Sequence, residues 1–328
     1  MLVTQTRTSA ARMEVLLSGD ARAELQRIGE GLDARQPVRV RNEGIVILDP
    51  EPGSTLVQEK NNEQRQGAGG PAARPRQGSA RRQRPTGRPR PPGAEPRLRC
   101  LSAHYQQQLD NVQGAYPGAA LTADEHGVWL SARSQLLAGL GREAIFVIAL
   151  PDAPDVEPRG WAFWNQCGRI EWIGDRHTNF FDGSVCAYSS VNDRAWSPGG
   201  DLRTLLDLYS LWALRHVHLA VIGRWPGRQY ALLDPAGRPL PYYRLVEFTD
   251  DELCSCDSGE RYGSCCKPRD LATNFLAAKR QFEALNQGRN IRDRRPPDAV
   301  LRCVRDGDAP PRIHDVHEPL RGFLAARS

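Results

Sequence analysis

Lysine and methionine are scarce in this chain. Of 328 residues only Lys60, Lys267 and Lys279 are lysine and two are methionine, against 41 arginines. A protein handling activated acyl groups would gain from few surface amines. With alanine, glycine, proline and arginine all abundant, however, a GC-rich genome is the simpler cause. Long apolar runs are missing too. The longest, "AIFVIAL" (144–150), suits a buried strand and falls far short of the ~20 residues of a membrane span. The opening "MLVTQTRTSAARMEVLLSGD" holds no apolar core of signal-peptide length, so a cytoplasmic protein with no membrane partner is expected. Eight cysteines in so long a chain are no secreted disulfide framework: four are clustered at 254, 256, 265 and 266, and Cys100, Cys167, Cys186 and Cys303 are scattered.

What charge there is lies unevenly. The net +5 suggests a nucleic-acid surface until it is located: residues 61–100 hold ten arginines against Glu63 and Glu95, a balance of +8, so the other 288 residues sum to −3. Residues 59–97 are dense in Pro, Gly, Arg and Gln, with almost no large apolar side chains. Such a segment cannot bury enough surface to offset its chain entropy and is expected to be a disordered linker. Nucleic acid is not the expected partner.

Before the linker, residues 1–58 suggest a small folded piece of unassigned role. "ARAELQRIGEGL" (21–32) has helical spacing, and "VRVRNEGIVILD" (38–49) reads as a hairpin around Asn42-Glu43-Gly44. Order is expected to resume near residue 100 with a helix carrying Leu101, Tyr105, Leu109 and Val112 on one side, stopped by Gly114 and Pro117. "GVWLSARSQL", "EAIFVIALP", "GWAFW" and "RIEWIGD" then read as four strands of an antiparallel meander, the first two joined around Gly139 and Gly141. "DLRTLLDLYSLWALRHVHLAVIG" (201–223) is the strongest helix, with Asp201 and Thr204 at its start, an apolar face of Leu202, Leu205, Tyr209, Trp212 and Leu219, and Gly223 as its stop. Residues 270–287 read as one more helix, and the Arg- and Pro-rich remainder as flexible.

"CSCDSGERYGSCC" places Cys254, Cys256, Cys265 and Cys266 within thirteen residues. Four thiolates so spaced can surround one tetrahedral zinc ion; a redox cluster or two local disulfides is the alternative, disfavoured because adjacent cysteines bridge poorly and the compartment looks reducing. The stretch resembles the SEC-C hook found at the C-terminus of SecA, with Ser258, Gly259 and Tyr262 in the frame of that motif. The resemblance covers under twenty residues. It implies one structural Zn2+ with no open coordination position, in a module that serves interaction.

A lone cysteine at the end of a polar loop, in "DRHTNFFDGSVCAYSSVNDRAWSP" (175–198), is core filler, half of a disulfide, a metal ligand or a nucleophile, and the stretch alone leaves all four open. The order of elements adds something: helix, meander with "PDAP" (151–154) after its second strand, His177-Thr178-Asn179, "DGSVC" ending in Cys186, "AWSP" (195–198), long helix. This order over roughly 100–235 resembles the ubiquitin-conjugating enzymes, with Thr178 standing where that family has proline. The resemblance implies an α+β, UBC-like fold: N-terminal helix, four-stranded antiparallel meander, active-site loop and C-terminal helix in 98–240, a zinc hook in 241–270, and a helix and flexible tail in 271–328. It implies a catalytic set of Cys186, Asn179 and His177. Cys186 would carry an acyl group as a thioester, the Asn179 amide would donate to the oxyanion, and His177 would brace the loop more than act as a base. Asp182, Gly183 and Trp196 would support the loop, and Asp193 or Asp201 would tune the incoming amine.

"RWPG" (224–227) and the hook beyond it resemble the prokaryotic members of the family found in antiphage CBASS operons. That implies a protein substrate or acyl donor, namely the C-terminus of a signalling nucleotidyltransferase. The chain shows no Gly-rich nucleotide-binding loop and ends "FLAARS" rather than Gly-Gly, so it is expected to carry an acyl group that a separate activating enzyme supplies. Three other functions stay open. A catalytically inactive UBC-like scaffold would dock a partner through its hook. A nucleic-acid-associated zinc protein would use the Arg-rich linker, and a cysteine hydrolase would use His177 or His216 as base.

Overall fold

Five strands pair antiparallel in chain order: β3 (Ala120–Asp124), β4 (Gly127–Ser134), β5 (Glu143–Pro151), β6 (Arg159–Gln166) and β7 (Arg169–Trp172). The computed structural model describes residues 19–34, 101–136, 142–188 and 195–317, with the backbone of 38–41 and 44–47. These all belong to one of two units into which the chain divides; the other, Pro50–Leu98, lies outside the described residues, and with it the expected linker. The turn expected around Gly139 and Gly141 also lies outside them.

The sheet has one strand more than the four expected. "ALTAD" (120–124) pairs with β4 through Ala120↔Ser131 to Asp124↔Gly127 and forms an edge with little burial. An edge strand that covers no core needs no apolar alternation, so it leaves no pattern to read. Gly127, which opens β4, has φ +154 and lies so close to Leu150 O that a Cβ there would be 2.2 Å from it.

β5 is buried along its length from Ala144 onward, so both faces of the sheet must be covered. Its side chains alternate between two cores. Ala144, Phe146, Ile148 and Leu150 pack with the helices; Ile145, Val147 and Ala149 join Trp129, Trp161 and Phe163 on the opposite face.

The helical layer is built from α2 (Leu101–Gln107), α3 (Leu109–Ala115) and α4 (Leu202–Ile222). The single helix expected after residue 100 is thus two, parted at Gln108, whose amide oxygen accepts from Leu202 N at 2.8 Å. α4 takes the expected form: Asp201 caps Thr204 N at 2.9 Å, and Gly223 ends it at φ +90. It is long and apolar enough to cross a membrane by length and composition, but here it is the central core helix. The N-terminal helix α1 (Gly19–Asp33) packs Ala21, Leu25, Ile28 and Leu32 into the same core. Its Asp33 takes Arg224 at 2.8 Å and Gly227 N at 2.8 Å. The expected hairpin is present as β1 (Val38–Arg41) and β2 (Gly44–Ile47), and β1 lies against α4.

The opposite face of the sheet is covered by a segment expected to be flexible. α8 (Asp298–Asp306) and a helical turn at 313–317 place Val300, Ile313 and Val316 on Trp129, Ile145, Val147 and Phe163. The basic and proline-rich composition hid a short helix and a helical turn whose anchors, Val300 on the one and Ile313 and Val316 on the other, suffice because the sheet supplies the rest of the surface. A third core surrounds the cysteine cluster. Tyr242 and Tyr243 of α5 (Pro241–Glu247) meet Phe248, Tyr262, Phe282 and Ile291 there, along with Ala278 of α7 (Phe275–Leu285). The helix expected over 270–287 begins only at Phe275, because Asn274 caps Ala277 N at 3.0 Å after the short α6 (Lys267–Leu271).

Candidate functional site

After β7 the chain crosses the sheet end and folds into a narrow loop. Thr178 and Val185 form an isolated antiparallel bridge, so 179–184 is the tip of a small hairpin and Cys186 stands at its base. The sequence sets this locally. Asn179 O accepts from Gly183 N at 3.0 Å, Asp182 Oδ1 accepts from Ser184 N at 3.0 Å, and Gly183 supplies the left-handed φ of +61. The hairpin is anchored to the sheet by Val185 N to Gly160 O at 2.7 Å and Trp161 Nε1 to Asp182 O at 2.7 Å. The Asp182 carboxylate forms an ion pair with Arg159 that both side chains bury, and Arg159 Nη1 also reaches Ser184 Oγ at 3.1 Å.

Cys186 is exposed and in no disulfide. Its N–H donates to His177 O at 2.9 Å, and its sulfur lies 3.9 Å from the Tyr188 carbonyl. Beneath it, Tyr209 of α4 lies so close to Gly160 that a Cβ there would come within 2.5 Å of the phenol oxygen. Burial, then the Cys186 sulfur, pushes the Tyr209 hydroxyl up, so it stays a neutral phenol.

The other expected residues take structural partners. Asn179 Nδ2 donates to Ser184 Oγ at 2.9 Å, within its own hairpin. His177 stacks on Trp225 with ring centroids 4.4 Å apart and bonds Gln229 Oε1 through Nε2 at 3.0 Å. Burial, then the Arg176 charge, holds its imidazole well below the usual histidine range. Thr178 Oγ1 donates to Asp175 O at 2.7 Å. Trp196 is buried, donates through Nε1 to Asp201 O at 2.7 Å and lies 6.1 Å from the Tyr188 ring. Asp201 caps α4, and Asp193 lies outside the described residues. His216, the other candidate base, bonds Arg176 O through Nε2 at 2.9 Å, and burial pulls it down to about 3.

The four clustered cysteines come together as their spacing predicts. Their sulfurs all lie within 4.8 Å of one another, with Cys256 to Cys265 at 3.4 Å and Cys265 to Cys266 at 3.9 Å. A tetrahedron with metal–sulfur bonds of about 2.3 Å has edges of about 3.8 Å, so the separations fit one metal ion and none is a disulfide. The turn is made by Asp257 at φ +59 and Gly259 at φ +80, and closed by a Leu253↔Arg261 bridge. Bonding to Ser258 pulls Cys256 down to about 6, while the Cys265 thiol, whose sulfur lies 3.3 Å from Ser258 Oγ, is pushed up on balance among its cysteine neighbours. Tyr262 is fully buried and donates to Asp270 at 2.9 Å. Cys254 and Cys266 are buried and Cys256 is exposed, the placing of a structural site at the rim of a small core.

Sequence reasoning missed the residues between the two centres. Arg176 pairs with Glu252 and lies 3.7 Å from Glu247, which itself pairs with Arg294; all four side chains are buried. Trp225 N donates to the other Glu252 oxygen at 2.9 Å. No local pattern announces such a network, because its members are 76 and 47 positions apart. No protein-family model, curated protein or solved structure matches the chain, so its chemistry rests on its own residues.

Proposed function

We propose that the protein is a cysteine-dependent protein-conjugating transferase of the ubiquitin-conjugating kind, with Cys186 carrying an acyl group as a thioester. The observation that carries this reading is an exposed thiol held at the base of a rigid hairpin, its backbone N–H fixed on the His177 carbonyl. Acyl carriage needs accessibility on one side and a fixed backbone on the other. It needs no general base beside the sulfur, and neither His177 nor His216 has its bonded ring nitrogen directed there. A cysteine hydrolase would need a basic imidazole, and burial holds both His177 and His216 well below the usual histidine range. The order of helix, antiparallel meander, loop and long α4 is compatible with a UBC-like fold and supports this reading, and the four-cysteine hook is read as a closed structural Zn2+ site of the SEC-C kind. The partner would be a protein whose C-terminus is activated by a separate enzyme, such as the nucleotidyltransferase of an antiphage CBASS system.

A second reading has its own support. Asn179, the expected oxyanion donor, is bonded to Ser184 inside the hairpin, which suits a UBC-like scaffold that binds through its hook without catalysis. One experiment separates the two. The protein and its Cys186→Ser variant are purified from the native host without reductant, and thiol is added to half of each. A thiol-labile partner on the wild type, replaced by a thiol-resistant ester on Cys186→Ser, is the expected result and names the donor by mass. No adduct on either, with the neighbouring genes co-expressed, leaves the scaffold.

A further inference from the structure

We infer that the four-cysteine hook holds the Cys186 loop in place, with Glu252 as the positioning residue between them. Glu252 has no solvent exposure and sits two residues before Cys254. Its main-chain carbonyl accepts from Tyr262 N at 2.8 Å, which stitches it across the hook turn. Its carboxylate leaves the hook in two directions. One oxygen pairs with the Arg176 guanidinium, and the other accepts from Trp225 N at 2.9 Å.

Both directions end on His177. Arg176 is its chain neighbour, and Trp225 is the ring that stacks on it at 4.4 Å. His177 in turn offers the carbonyl that takes the Cys186 N–H and the Trp212 indole N–H, each at 2.9 Å. A single carboxylate on the hook therefore supports the one peptide unit on which the Cys186 backbone rests. Arg176 makes the dependence strong. It is buried, its Nε has no hydrogen-bond partner, and its remaining carboxylate contact, Glu247, lies at 3.7 Å and is already paired with Arg294. A buried guanidinium that loses its closest carboxylate is costly, and segment 175–179 must open to let water reach it. Tyr262 in its apolar core and the Leu253–Arg261 bridge hold one side of the thirteen-residue hook, and the four thiolates hold the other, so loss of its metal loosens the turn that carries Glu252.

This inference goes beyond the transfer reading and does not depend on Cys186 being a nucleophile. The test is peptide-resolved amide exchange on the full chain loaded with zinc chloride, before and after chelation, beside Glu252→Gln. Chelation is expected to raise exchange across 176–186 by at least about tenfold, a conservative share of what an orphaned buried charge costs, while β5 stays protected and re-added zinc restores the loop. Glu252→Gln is expected to do the same with zinc still bound. A hook that opens on chelation while 176–186 stays protected overturns the coupling, as does equal exchange in β5, which would mean general unfolding. If Glu252→Gln fails to fold, the chelation arm on the wild type decides. Failure to bind zinc at all counts against the metal reading alone, and the Glu252→Gln arm then decides the coupling.

Discussion

Gly183 is the residue on which the loop geometry turns. It combines a φ of +61 with a site where a Cβ would lie 2.8 Å from the Arg295 backbone carbon and 3.1 Å from the Trp172 ring. A side chain there meets both a left-handed backbone and a wall that cannot rotate aside. Gly183→Ala is therefore expected to cost about 2–4 kcal/mol, the sum of conformational strain and overpacking. The cost reads as a lower urea midpoint with an unchanged slope; an unshifted midpoint would mean that the tail segment gives way easily. This residue and its neighbours show how far a site can be read before the fold is known. "DGSVC" announces its turn, because Asp182 and Gly183 act within a few bonds of themselves. His177 and Asn179 were legible as loop residues, but their partners were not. Gln229 and Trp225 reach His177 from beyond α4, and nothing in a polar triplet says whether its side chains will face the thiol or the core.

At the scale of elements the tail is the most instructive. α8 and the turn at 313–317 cover a sheet face that carries Trp129, Ile145, Val147, Trp161 and Phe163, and Val300 is fully buried there. Val300→Asp puts a charge into that contact without touching the sheet. The expected loss is about 3–5 kcal/mol, as for other buried unpaired charges. If the tail only grazed the sheet, the variant would keep its thermal midpoint and bind no more of a hydrophobic dye than the wild type. The signal that could have exposed this layer was in β5 all along. "AIFVIAL" has no polar member, so a strand there demands cover on both sides, whereas α1 to α4 account for one. β3 gave no such signal because an edge strand needs none. The first helix looked continuous because Leu101, Tyr105, Leu109 and Val112 keep helical spacing across Gln108, whose side chain is drawn instead to the start of α4.

At the scale of the whole molecule, the sheet-and-helix unit and the hook meet over buried charge rather than over apolar surface alone. Arg176, Glu247, Glu252 and Arg294 fill that junction, and His216 lies against it with its Nε2 on the Arg176 carbonyl. Such a junction makes stability depend on pH through the histidine. Burial lowers His216 from an ordinary value of 6.5 to about 3, so the unfolded chain takes up a proton that the folded chain refuses. Stability is then whole above pH 6.5 and falls progressively as pH drops toward the folded value. Between pH 7 and pH 5 this one group is expected to remove about 2 kcal/mol. Glu247 and Glu252, raised by burial, act with the opposite sign, so the total slope does not isolate the histidine. The difference between wild type and His216→Gln does, because glutamine can still donate to the Arg176 carbonyl but does not titrate. Denaturant melts of both at pH 7 and pH 5 should show the wild type losing about 2 kcal/mol more than the variant. Parallel losses would mean that His216 can be protonated in place. A cation could then sit beside Arg176 and Arg294 only with Glu247 and Glu252 both ionised, and the junction would carry one positive charge in excess, which requires water to reach it.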